Sequence, residues 1–431
     1  MQKSMPARMP LQNKFSVAVS LAFLALFTLA GCIPVRNEPV IIWTDRAEMA
    51  SYVELFTSQQ QKTQAVVVYK SPLVSALPPA KDEEHPDVII GSWLMNSRLK
   101  KNFLPLESLF SLSDINPRTI YPSLLAYGKK GIHQYLLPVS FNLPLLIFSS
   151  KNASLMPDAY MLAPDQIRDT AALFNAKNSH DIYTNMGFAP SWDSDFLYVV
   201  AKMNGLTFRE RGSNFQWDNN ILQTTVSYLR NWTKEKNTST TAEQDFAFKY
   251  LYTPDYRQVE SNRCLFAYTS SESLFKVPYE QLGNIDFRWI ETNGQITAKD
   301  DIIMMGIYKG SFNTRRAEDF VIWLMQESTQ RAILERTASM QLNINTFGIN
   351  GGFSSIQSVN ERIFPTYYRN LLGNIPAKNA IQPPPAFPIR WNSFKERVVI
   401  PYLQDATNTN KESKDVLPLE NRITSWLMQF D

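Results

Sequence analysis

Histidine is scarce in this chain of 431 residues, and so are the short motifs that carry catalysis. The three histidines, His85, His133 and His180, share no metal-ligand spacing, so a histidine-centred metal site is not expected. No G-x-S-x-G elbow, P-loop or Rossmann glycine fingerprint is present, which removes the commonest hydrolase, nucleotide and dinucleotide readings. Asp193 and Asp195, in SWDSDF, are the right residue type for a glycosidase pair. On nearly adjacent positions of one segment they read instead as hydrogen-bond acceptors or turn residues. The expectation is a protein that is not an enzyme and needs no cofactor. No internal repeat at a solenoid or propeller period is found. Beyond the first thirty or so residues no apolar run looks membrane-spanning; YLLPVSFNLPLLIF is interrupted by Pro138, Asn142 and Pro144.

What is present at the start is a leader. Met1 to Lys14 carry Lys3, Arg8 and Lys14 and no acid, and Phe15 to Ala30 form one uncharged apolar run. A basic start, a short apolar segment and small residues at its exit are the parts of a secretory signal. The run ends in Leu29-Ala30-Gly31-Cys32, which resembles the bacterial lipobox. That resemblance implies a lipoprotein signal peptide over residues 1–31, cleavage before Cys32, and acyl chains such as palmitate on the cysteine. Several chains, at about 0.8 kcal/mol per buried CH₂, make a firm membrane anchor without a spanning helix. The implied location is outside the cytoplasm, anchored and facing the periplasm or the cell surface.

Removing the leader also removes the whole formal excess of +3, so bulk charge gives no support to nucleic-acid binding. With Cys32 lipidated, Cys264 has no intrachain partner and a structural disulfide is excluded. Cys264, in SNRCLFAY, reads as a small buried apolar residue.

The mature length exceeds what one hydrophobic core usually organises, so two lobes are expected. Apolar content of 44% with 19% charged residues describes a globular chain. Val40 to Trp43 reads as a buried strand, Ala47 to Gln61 as a helix, and Ala65 to Tyr69 and Asp87 to Ile90 as further strands. This βαβ order predicts a mostly parallel sheet. Two extended stretches joined around Asn142 follow, because Pro138 and Pro144 forbid a helix there. Strands are expected at Leu265–Tyr268, Asp286–Ile290 and Asp301–Tyr308. Thr314 to Arg336 shows the clearest helical periodicity, with Ala317, Phe320, Val321, Leu324 and Met325 on one stripe. Helices are also expected over Asn219–Trp232, Asn392–Leu403 and Leu417–Phe430.

The order of these pieces resembles the family 1 extracellular solute-binding proteins, the group that includes maltose-binding protein. The residues that carry it are the opening VIIWTD, HPDVIIGSW, LPLESLF, the passage IHQYLLPVSFNLPLLIFSSKN and the helix FNTRRAEDFVIWLMQESTQRAIL. The pattern departs from the family at Asn262-Arg263, where Gly-Lys is usual, and at Glu291 to Gly294, where a Pro-rich stretch is usual. The resemblance implies an α/β, two-lobed periplasmic-binding-protein fold with discontinuous lobes and a strand hinge. The lobes are expected at 33–143 plus 303–350 and at 144–302 plus 351–431. It also implies capture of a sugar or oligosaccharide between the lobes, handed to ABC permease subunits by a monomer. The competing readings are a surface protein that binds a macromolecular partner on the same scaffold, and a receptor for a non-sugar metabolite.

Sugars stack apolar C–H faces on aromatic rings and need planar polar groups for their hydroxyls. Nine tryptophans and 18 tyrosines are available, several where a strand ends. The expected ligand contacts are Trp43, Asp45, Trp93, Asn142, Trp192, Asp195, Tyr268, Ser270, Arg390 and Trp391. The family places aromatic contacts in the segments around Trp93, Trp192 and Trp391.

Overall fold

The computed structural model describes residues 38–429 except 61–62, 112–113, 158 and 212–213. The leader and Cys32 lie outside the described residues. Among those described, no helix is long and apolar enough to cross a membrane.

Short apolar runs set the strands. In chain order they are Val40–Thr44 (β1), Ala65–Tyr69 (β2), Val88–Gly91 (β3), Leu137–Phe141 (β4) and Pro144–Ser149 (β5). Met161–Leu162 (β6), Ala267–Ser270 (β7), Ile285–Ile290 (β8), Ile303–Ile307 (β9) and Phe353–Ser354 (β10) complete the two main sheets. The first sheet runs β10-β4-β9-β3-β1-β2 and the second β7-β5-β8-β6.

The helix Met49–Gln59 (α1) is the crossover that lets β1 and β2 run parallel. Its buried residues Met49, Tyr52, Val53 and Phe56 recur at helical spacing. Parallel pairing in this sheet stops at β1 with β2 and β3; β9 is antiparallel to β3 and β4, and β10 to β4. The mostly parallel sheet predicted from the βαβ order is therefore corrected to a mixed one. The antiparallel partners come from distant parts of the chain, which local periodicity does not register.

The second sheet has both faces covered. Along β5, Leu145 and Ile147 belong to one core while Leu146 and Phe148 belong to another, as the two-residue period of a strand requires. The core shared with the first sheet is closed by rings. Phe353 of β10 lies 5.9 Å from Trp289 of β8 and 5.8 Å from Phe141 of β4, and Phe275 stacks on Phe347 at 5.0 Å. Each such pair contributes about 0.5–1.5 kcal/mol beyond the area it buries.

The fold is α/β and two-lobed, and the chain passes from one sheet to the other more than once. Asn142 and Leu143 join β4 to β5, and residues 298–302 return to β9. Beside that return, Ile296–Thr297 pairs in parallel with Ile381–Gln382, so two connections run together. The six-stranded sheet takes β10 from beyond residue 350, and Ile356, Val359, Ile363 and Phe364 join the core that the two sheets share.

The long helix expected over Thr314–Arg336 is two, Thr314–Leu324 (α3) and Glu327–Ser339 (α4). Gln326 is extended (φ −94°, ψ 139°), and the buried Gln330 amide donates to the Leu324 carbonyl at 3.1 Å, satisfying a group the break would strand. Asn392–Leu403 is part of a helical stretch over 391–407 whose Lys395–Val399 turn is π-helical.

Candidate functional site

Where β3 and β7 end lies a recess of ≈ 570 Å³. Another recess of similar size lies beside Asp165 and Tyr228. The first is distinguished by the strand ends that converge on it, the usual ligand position in open α/β sheets. Its volume falls in the ordinary range for small-molecule sites.

Trp93, just past the end of β3, forms one wall. It adopts φ 65°, a left-handed conformation that costs a bulky residue about 1–2 kcal/mol. Three contacts set that turn. Asp45 accepts from the Ser92 hydroxyl at 2.8 Å, Asn96 Nδ2 donates to the Trp93 carbonyl at 3.1 Å, and Gly91 leaves room for the Asp45 carboxylate. A Cβ on Gly91 would sit 2.5 Å from Asp45 Oδ1. Burial raises the Asp45 carboxyl above its ordinary value, and the Ser92 hydroxyl bond offsets part of that. The Trp93 ring meets Phe387 edge-on at 6.1 Å, and Phe387 stacks on Trp391 at 4.7 Å.

The opposite wall is charged. Asp195 lies near the start of the helix Ser194–Met203 (α2), which Asp193 caps by accepting from the Asp195 amide at 2.8 Å. The Asp195 carboxylate accepts from the Tyr268 hydroxyl at 2.7 Å, from Lys395 Nζ at 2.8 Å and from Lys299 Nζ. Burial alone would raise this carboxyl, and the ammonium groups of Lys299 and Lys395 reverse the effect, holding it far below the usual range. Two turns along the same helix face, Lys202 donates to Asp300 Oδ1 at 2.8 Å and to the Ala298 carbonyl at 2.8 Å. Trp391 Nε1 donates to the other Asp300 oxygen at 3.0 Å. Burial opposes the Asp300 charge, and Lys202 and Lys395 prevail, keeping it low. Consecutive residues of the connection, Lys299 and Asp300, are thus each held by the opposite charge on α2.

Of the residues singled out in the sequence, Trp93, Asp195, Tyr268 and Ser270 line the recess. Ser270 also caps the helix Ser271–Lys276, its hydroxyl accepting from the Ser273 amide at 3.2 Å. The other six lie elsewhere. Trp43 is 1% exposed in the first core, under Lys70. Asp45 stands behind the Trp93 turn. Asn142 ties the connections together: its amide donates to the Gly351 carbonyl, its side-chain oxygen accepts from Ser271, and its carbonyl accepts from the Lys299 amide. Trp192 stacks on Phe246 at 5.5 Å and donates to the Glu243 carbonyl. Trp391 is buried on Asp300, and Arg390 is exposed just before it.

Lys299, Asp300, Asp301 and Lys395 line the recess and were not singled out in the sequence. The consecutive charges Lys299-Asp300-Asp301 at the start of an apolar strand are the signal that points to them.

No family profile and no curated protein sequence matches the chain. Solved structures do. The sugar-binding protein MalE from Xanthomonas citri is similar at 12% identity and a TM-score of 0.61, over 91% of this chain and 100% of that one. An extracellular solute-binding protein family 1 member from Alicyclobacillus acidocaldarius gives 14%, 0.60, 91% and 98%. CpMnBP1 with mannotriose bound gives 15%, 0.59, 89% and 98%. At these identities the likeness is one of fold, and it agrees with the two-lobed architecture expected from the resemblance.

Proposed function

We propose that this chain is an exported solute-binding protein of an ABC transporter, tethered at Cys32, that captures a sugar or oligosaccharide between its lobes without chemical change. The observation that carries the reading is the recess itself, with an indole presented at the end of β3 facing hydroxyl and carboxylate groups at the end of β7 and on α2. Trp93 supplies the stacking surface, and Tyr268, Thr269 and Ser270 supply hydroxyls. Asp195 acts as a positioning residue, since it already accepts three hydrogen bonds. The lobes turn about Asn142–Leu143 and residues 298–302 to close over the ligand. Neighbours of the same fold are solved with mannotriose and with cycloalternan bound, which supports the saccharide class. The permease subunits would receive the ligand from the closed form.

The full chain in detergent, titrated with mono- and oligosaccharides, is expected to show a saturable tryptophan-fluorescence change. Melting should rise with it, since ligand at about 100 times its Kd stabilises by about 2.7 kcal/mol. No response to any saccharide, together with tight capture of a protein partner, would remove the reading. Palmitate labelling of wild type and Cys32→Ala tests the anchor, and equal incorporation into both would overturn it.

A further inference from the structure

The recess carries more negative charge than a neutral sugar uses. Its wall holds six carboxylates, Asp193, Asp195, Asp255, Asp300, Asp301 and Glu396, against two ammonium groups, Lys299 and Lys395. Both ammonium groups are engaged by Asp195. Asp300 is neutralised from behind by Lys202, with both side chains 3% exposed. That leaves Asp193, Asp255, Asp301 and Glu396, which form no ion pair among the described residues. Burial raises the carboxyls of Asp193 and Asp301, a cost that an incoming positive charge would relieve.

The arrangement does not suit a bare metal ion. Among the described residues no three His, Cys, Asp or Glu side chains lie close enough together to hold one. The carboxylates are instead distributed around a space that also offers an indole ring and four hydroxyls. An extended ligand with polyol character and a fixed positive charge matches both features. We infer that the recess takes a saccharide bearing a protonated amine, with Asp301, Asp193 and Glu396 facing the ammonium group while Trp93 takes the sugar ring. This rests on the receptor reading above and narrows it to a charged class.

The test uses matched triplets of one saccharide backbone carrying a free amine, an N-acetyl group or a hydroxyl, across several linkages, titrated calorimetrically into the full chain in detergent. The amine form is expected to bind roughly tenfold or more tightly than either uncharged form, in line with a charge-assisted hydrogen bond. The preference should shrink as salt rises from 50 to 500 mM, values chosen to bring the screening length from roughly 14 Å to about 4 Å. Asp301→Asn, and separately the exposed Glu396→Gln, should each lower the ratio of amine to N-acetyl affinity several-fold. N-acetyl or hydroxyl forms binding as tightly as the amine would overturn the charged class and leave the receptor reading standing. Silence from every triplet would overturn both.

Discussion

Lys202 Nζ donates to Asp300 Oδ1 at 2.8 Å, joining α2 of the second lobe to the connection that leads back to the first, with both side chains 3% exposed. A buried pair of this kind is weak evidence for net stability but costly to break, because the partner left behind keeps an uncompensated charge. Lys202→Met should lower unfolding free energy by about 3–5 kcal/mol in urea titrations. The double variant Lys202→Met, Asp300→Asn should recover part of that loss. A single variant within about 1 kcal/mol of wild type would show that the pair does not hold the connection.

The left-handed turn at Trp93 makes a comparison of two truncations informative. Trp93→Ala and Trp93→Gly remove the same ring, but only glycine is at ease at φ 65°. The glycine variant is expected to be more stable than the alanine variant by about 1 kcal/mol, read from melting or denaturant midpoints. Both should lose saccharide affinity. Equal stabilities would mean that the turn relaxes when the ring is gone.

Asp195 predicts a pH dependence with a definite sign. Its carboxyl is held below the unfolded value of about 4, so its contribution is complete above that value and is lost as pH falls towards the folded one. The melting-temperature gap between wild type and Asp195→Asn should therefore be constant at neutral pH and narrow steadily below about pH 4. A gap unchanged down to about pH 3 would contradict the assignment.

Cys264 is 2% exposed, and burial pushes its thiol well above the ordinary range. A thiol reagent at pH 8 should label it only as fast as the protein unfolds, and promptly in denaturant. Fast labelling of the native chain would show a breathing core around β7.

Much of the fold was legible because the strands are short apolar runs bounded by turn residues, and because prolines at 138 and 144 punctuate β4 and β5. The break between α3 and α4 was not, since apolar periodicity runs on through it and the contact that accommodates it, from the Gln330 side chain to the Leu324 carbonyl, leaves no mark in the pattern. Nor were the partners of Asp195. Tyr268, Lys299 and Lys395 lie 73, 104 and 200 residues away, and no local pattern pairs charges over such separations. Strand-end aromatics were visible as a class, but whether a given indole faces a recess or a core depends on backbone turns such as that at Trp93. Trp43 and Trp93 end neighbouring strands and have opposite fates.

The packing of Phe353 against Trp289 and Phe141 bears on how the molecule comes apart. With aromatic side chains from both sheets sharing one interior, neither half can melt without stripping the other of its partners. Calorimetry on the full chain should then record a single endotherm whose van't Hoff and calorimetric enthalpies agree, despite the two-lobed shape.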